Sequence, residues 1–191
     1  MLRLPPVLCL PVLSASLLLV AVPVPSSGGP YQDYKTLTRA EKWLALRYPW
    51  QLLKVRSSAE RARAESERRY PTQVGQDDPR DAFRHTFWNG AMTGELRSTR
   101  AAARWANAHE AAPGNPAARR AMDLFNNERG RRIADGAKVD RRVLWWTRAT
   151  YPDDPELAVL VQDALDRGEL RMIEERNGAR DPHGGRLVPT R

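Results

Sequence analysis

The chain has 191 residues, one cysteine, three histidines and a formal net charge of +8. That length is enough for one domain. The cysteine is Cys9, inside a segment read below as a leader, so the remainder has no thiol, which excludes disulfides, a cysteine nucleophile and cysteine-bound metal there. The positive excess is almost all arginine, because the lysines are only Lys35, Lys42, Lys54 and Lys138. A basic surface favours anionic partners such as phospholipid, nucleic acid or acidic wall polymer, although a GC-rich coding sequence also yields arginine and alanine in excess.

The N-terminus begins with the short positive stretch Met1-Leu2-Arg3. Residues 12–22 are apolar apart from Ser14 and Ser16, and Val24-Pro25-Ser26 offers small residues for cleavage. This is a secretory pattern. Pro5, Pro6, Pro11, Pro23 and Pro25 leave about a dozen residues between prolines where a membrane span needs about 20. Val7-Leu8 before Cys9 argues against lipidation. Residues 1–26 are therefore predicted to be a cleaved signal peptide, placing the protein outside the cytoplasm; the alternative is an uncleaved N-terminal membrane anchor. Residues 27–35 read as an extended lead-in, 36–173 as an all-helical domain, and 174–191 as a flexible tail of glycine, proline and charge.

Within the domain, Thr38-Arg39-Ala40-Glu41 has the spacing of a capping box. The helix it starts carries Trp43, Leu44 and Tyr48 and stops at Pro49. A second helix is predicted over 50–69, with Leu52, Leu53 and Val55 buried in its first half and a solvated second half. Three later starts pair a capping residue with proline, at Asp78-Pro79, Asn115-Pro116 and Asp154-Pro155. They predict helices over 79–97, 116–134 and from 155, with another between Ser98 or Thr99 and Ala112. Asp140 is expected to cap a short helix holding Val143, Leu144, Trp145 and Trp146. Leu157, Leu160, Val161, Ala164 and Leu165 follow the amphipathic spacing i, i+3, i+4, i+7, i+8. No strand pattern of any length stands out. The predicted class is all-α, a single-domain bundle of about six or seven helices.

The chemistry concentrates between residues 78 and 133. At 100° per residue, Asp81, His85, Asn89 and Met92 share one helix face, with Trp88 beside them and Phe83, Phe87 and Gly90 opposite. A helix apolar on two sides is buried on two sides. Polar groups inside it then need partners. Downstream candidates are His109-Glu110 and the series Asp123, Asn126, Asn127, Gly130. Adjacent helical residues diverge by about 100°, so His109 is expected in the pocket and Glu110 at its edge or paired with an arginine. Asparagine and glycine weaken a helix by up to about 1 kcal/mol each; 123–130 either ends a helix or uses its side chains.

The candidate catalytic groups are His85, His109, Asp123 and Glu110. Arg84, Asn89, Asn127 and Arg131 are candidates for holding substrate, and Asp81, Trp88 and Asn126 for supporting these groups. His85, His109 and Asp123 together would suit one divalent metal ion such as zinc, which supplies hydroxide near neutral pH. Without metal the same groups would act as general acid and base, with Arg84, Arg119 or Arg131 on an anion. A satisfied, inert network is the third alternative. His-Glu-x-x-His fails because Pro113 takes the second histidine's place, and there is no Gly-x-Ser-x-Gly elbow, phosphate-binding glycine loop or nucleic-acid motif.

The ordered series Asp81-Ala-x-Arg-His85-x-x-Trp-Asn89, Ala-His109-Glu110 and Met-Asp123-Leu-x-Asn-Asn127-x-x-Gly130 resembles a family of uncharacterised bacterial helical domains. These occur in secreted proteins and at the ends of toxin-like polypeptides. The resemblance covers about 78–133 and implies that His85, His109, Asp123 and Asn127 form one feature; it implies no particular reaction. The leading functional expectation is an exported monomeric hydrolase on an anionic envelope or extracellular substrate, a phosphodiester or phospholipid. The alternatives are a secreted or toxin-associated binding module, and a basic protein that binds membrane or nucleic acid through arginine clusters.

Overall fold

The structure, a computed structural model, describes residues 36–191 except 144. The predicted signal peptide and lead-in lie outside these residues. Among the described residues the chain is a mostly helical single domain of six helices with a few short strands.

Helix α1 (Arg39–Arg47) starts as predicted: Thr38 Oγ1 accepts from the Glu41 amide at 3.0 Å, and a Glu41 carboxylate oxygen accepts from the Thr38 amide at 2.7 Å. In α2 (Pro49–Arg69) the buried line is Val55, Ser58, Ala62 and Ser66, three or four residues apart. These small side chains allow a neighbouring helix to approach closely. Its other face carries local ion pairs such as Arg69 with Glu65 at 2.7 Å. Leu53, expected in the core, is 70% exposed, and Trp43 also faces out. Leu53 lies two residues from Val55, about 200° around the helix.

The centre of the molecule is α3 (Pro79–Leu96), capped by Asp78 with proline in its first turn. Every residue of 81–93 except Arg84 is buried. Phe83 and Phe87 stack at 5.9 Å and join Trp105, Leu157 and Val161 in one core. Burying each such large side chain contributes roughly 1.5–3 kcal/mol. Helix α4 (Thr99–His109) is capped by Ser98 and supplies Ala102 and Ala106 to the same core. Helix α5 (Ala117–Gly136) runs unbroken through the asparagine-rich stretch.

Four further expectations are corrected. Asn115 does not cap α5; Pro116 stands there, and the Ala118 and Arg119 amides donate to the carbonyl of Pro182 at 3.1 and 3.3 Å. The segment after Lys138 is a hairpin, β1 (Val139–Val143) with β2 (Trp146–Thr150), in register Val139↔Thr150. Its apolar run suggested a helix, but valine and threonine recur at 139, 143, 147 and 150, and β-branched residues favour strands. After α6 (Asp154–Asp166), capped by Asp153 rather than Asp154, the supposed flexible tail pairs with itself. Strand β3 (Arg171–Ile173) joins β6 (Leu187–Pro189), and β4 (Glu175–Arg176) joins β5 (Ala179–Arg180). Leu170 and Ile173 are fully buried, and Thr190 Oγ1 donates to the Leu165 carbonyl at 2.8 Å. These few apolar residues anchor a segment whose composition otherwise looks disordered.

Candidate functional site

The site exists because α3 and α5 touch without a side chain between them. A Cβ placed on Gly130 would stand 2.0 Å from the Thr86 carbonyl oxygen, so only glycine admits this approach. Asp123 and Asn127 lie seven and three residues before Gly130, on the same face. The contact therefore carries them against Asp81, His85 and Asn89 of α3. The end of α4 closes the third side.

His85 is the hub. Its Nδ1 is 3.2 Å from Asn127 Oδ1 and 3.6 Å from Glu110 Oε1. Asn127 Oδ1 also accepts from Asn89 Nδ2 at 2.5 Å, while Asn127 Nδ2 donates to Glu110 Oε1 at 3.2 Å. With that amide oriented as an acceptor towards the ring, His85 carries its proton on Nδ1 and presents a bare Nε2. Nε2 stands 3.4 Å from Asp81 Oδ1, 3.6 Å from Asp123 Oδ1 and 3.2 Å from Arg84 Nη2. Arg84 Nη2 also donates to Asp81 Oδ1, and Asp81 Oδ2 accepts from the Asp77 amide at 2.7 Å. Asp123 Oδ1 is buried and has no hydrogen-bond partner.

These surroundings separate the acidities. Burial pushes the His85 imidazole below its ordinary value against the pull of Asp81. Burial would raise Asp81, but the charges of His85 and Arg84 and the bonds from Arg84 and the Asp77 amide hold it below the usual carboxylate range. Asp123 has no such support. Burial, then the charges of Asp81 and Glu110, push its carboxyl up to about 9. At neutral pH the cluster thus holds an ionised Asp81, a neutral imidazole and a protonated Asp123.

His85 and Arg84 open onto a cleft of about 320 Å³ between α2, α3 and α4. Leu52, Val55, Ala59, Trp88 and Trp105 form much of its wall; Glu41 and His109 stand in it too. Trp88 separates the two imidazoles, edge-on to His109 at 5.2 Å and to His85 at 6.3 Å. His109 Nδ1 meets Glu41 Oε1 at 3.0 Å. That bond raises the His109 pKa, and Glu41, despite burial, is lowered by His109 and by the Thr38 amide. A larger cleft, about 810 Å³, lies near Lys54, Arg97 and Asp154 but includes no member of the His85 cluster.

The sequence-predicted residues divide accordingly. His85, Asp123, Glu110 and Asp81 converge, with Asn127 behind the ring and Arg84 at the mouth. His109 does not join Asp123: it faces Glu41 across Trp88, with its side chain 51% exposed. His109 lines the cleft that His85 opens onto, whereas Glu110, expected at its edge or on an arginine, turns inward to Asn127 and Asn115. Asn89 and Asn127 are fully buried and serve the network rather than a substrate. Arg131 donates to Asn89 Oδ1 at 2.8 Å, away from the cleft. Asn126 belongs elsewhere: its amide exchanges two hydrogen bonds with the Arg171 backbone and pins β3. Arg119 is committed to Asp77 by two bonds of 2.6 and 2.8 Å. Glu41 was missed because its capping role seemed sufficient; one oxygen caps the helix and the other holds His109.

Fold and site define a mostly helical domain built around a buried carboxylate–imidazole cluster that reaches a partly apolar cleft. The chain belongs to the family described as Domain of unknown function (DUF6973), whose sequence profile matches residues 42–145. That range contains Asp81, Arg84, His85, Glu110, Asp123 and Asn127. No curated protein and no solved structure matches the chain. Among the described residues no helix is long and apolar enough to cross a membrane.

Proposed function

We propose that the protein is an exported hydrolase that cleaves an anionic substrate bearing an apolar group, a phosphodiester or a phospholipid, at His85. One observation carries this reading: Arg84, His85 and His109 face one cleft whose wall is otherwise largely apolar. Arg84 would hold the anionic oxygens by charge-assisted hydrogen bonds. A water lying against the Asp81–His85–Asp123 face gives its proton to that cluster as its oxygen attacks phosphorus. His109, whose protonated form Glu41 favours, returns a proton to the departing oxygen. One imidazole pushed down and another pulled up on the same cleft suit this division of labour. The apolar wall receives the rest of the substrate, and the chain's net charge of +8 gathers anions. Export is supported by the pattern of residues 1–26, and a bacterial source by the three ordered motifs.

Purified full-length chain with bis(4-nitrophenyl) phosphate, and separately with phosphatidylglycerol vesicles, tests the reading. Turnover of either that falls about 10²–10⁴-fold in a folded His85→Ala variant supports it. No turnover of either, or turnover undiminished in that variant, rejects it. A secreted binding module with an inert network is the second reading, favoured because Asn89, Asn127 and Glu110 already have partners. There His85→Ala would cost roughly 1–3 kcal/mol of stability and change no rate.

A further inference from the structure

The geometry points to a divalent cation site formed by Asp81 Oδ1, His85 Nε2 and Asp123 Oδ1, with zinc preferred over magnesium. It deepens the hydrolase reading, with the ion rather than the bare imidazole nitrogen activating the water, and rests on that reading for the chemistry, though not for the binding. Three observations carry the inference.

The first is spacing. One ligand atom from each residue lies within 4.8 Å of the other two. Asp81 Oδ1 and Asp123 Oδ1 stand 3.4 and 3.6 Å from His85 Nε2. Ligands bound tetrahedrally at about 2.1 Å lie about 3.4 Å apart, whereas octahedral neighbours at that bond length lie about 3.0 Å apart. An imidazole ligand also disfavours magnesium.

The second is the unpartnered oxygen. Asp123 Oδ1 has no hydrogen bond, and its side chain is only 5% exposed. Arg119, the nearby cation on its own helix, is held by Asp77. Three carboxyl groups, from Asp81, Glu110 and Asp123, face one guanidinium. Fully ionised they leave two negative charges without a counterpart, and a divalent ion supplies that charge. Buried charges persist when they are paired or bind metal.

The third is the arrangement behind the ring. A metal-binding imidazole donates its second N–H to a carbonyl or carboxylate, which fixes the tautomer. Asn127 Oδ1 at 3.2 Å and Glu110 Oε1 at 3.6 Å stand in that place at Nδ1. Arg84 Nη2, 3.2 Å from Nε2 and bonded to Asp81, holds the position an ion would claim. Arg84 lines the cleft and its side chain is 40% exposed, so it has solvent to move into. Cation and Arg84 therefore compete, and an ion seated there opens its fourth position to water from the cleft. Zinc-bound water ionises near pH 7.

The test is calorimetric titration of chelator-treated full-length protein with zinc chloride, then with magnesium chloride. Expected are one equivalent of zinc, much weaker magnesium, and a raised Tm with zinc. Asp123→Asn should weaken zinc by at least the about 10–100-fold lost when groups supporting a metal's ligands are removed. Arg84→Gln should bind zinc more tightly, whereas a merely structural ion-pair cluster would lose stability and gain no affinity. His183→Gln, on an exposed histidine, should leave binding unchanged. Absence of saturable zinc binding in folded protein, or equal binding by Asp123→Asn and the parent, overturns the site. Hydrolysis that survives full chelation overturns the ion's part in the chemistry while sustaining the hydrolase reading. Zinc bound at this stoichiometry, lost in Asp123→Asn, in a protein that hydrolyses neither substrate sustains the site and rejects that reading.

Discussion

Two imidazoles on neighbouring helices, divided by Trp88, have opposite fates. His85 sits where α3 and α5 meet backbone to backbone, its side chain 7% exposed, among three carboxyl groups and one guanidinium. His109 sits at the end of α4, half exposed, with a single carboxylate. The first is pushed towards the neutral form and the second towards the charged form. Residue type alone therefore says little about protonation; the closeness of helix packing decides whether desolvation or a partner charge wins.

The sharpest way to break this contrast is Gly130→Ala. Its Cβ would meet backbone, which cannot rotate away, and α5 must withdraw from α3. A loss of about 3 kcal/mol is expected, near the upper end for overpacking, in chemical denaturation. The His85 surroundings should open towards those of His109, and the His85 pKa should rise towards its ordinary value in NMR titration.

Asp123→Asn should act in the opposite direction. At pH 8 folding must return to Asp123 a proton that its unfolded carboxyl has already lost, and asparagine removes that cost, so metal-free protein should melt higher. In a domain of this size about 2–4 °C is expected per kcal/mol relieved. An unchanged or lower Tm would mean that the cluster is stabilising as built. Asn126→Ala is a control on the neighbouring face of α5: two backbone hydrogen bonds to Arg171 are lost, for about 1–3 kcal/mol, with no change at His85. Amide exchange in β3 should quicken.

The smallest effect belongs to the open side. Glu41 is lowered from 4.5, so its contribution is present above that value and fades as pH falls through its folded pKa. His109 is raised from 6.5, so its contribution is complete below that value and fades as pH rises through its folded pKa. The pair should help most between pH 4.5 and 6.5. Because His109 is half exposed, on the order of 0.5 kcal/mol is expected. Subtracting the Tm profile of His109→Gln from that of the parent measures it; a flat difference would remove the assignment.

Much of this arrangement was legible in the residues. The face of Asp81, His85 and Asn89 follows from 100° steps, and the same steps put Asp123 and Asn127 on one line with Gly130. What stayed hidden was rotation about each axis at the helix ends. His109 lines the cleft, but nothing in the pattern showed that Glu110, one position on, turns towards α5 and reaches His85 and Asn127. The hairpin after Lys138 was unreadable for another reason: its apolar residues are adjacent, and a short apolar run does not distinguish strand from helix. The C-terminal strands are only two or three residues long, too short to show an alternating pattern.

The carbonyl of Pro182 on the first turn of α5 has a consequence for the order of assembly. Asp123 and Asn127 stand on a helix whose leading amides are satisfied by a residue translated roughly 100 positions after His85. At about 5–20 residues per second, several seconds or more separate the emergence of the histidine from that of the group that secures the opposing helix. Removing residues around 182 should therefore loosen the first turn of α5, before Asp123, while the helices made earlier stay formed.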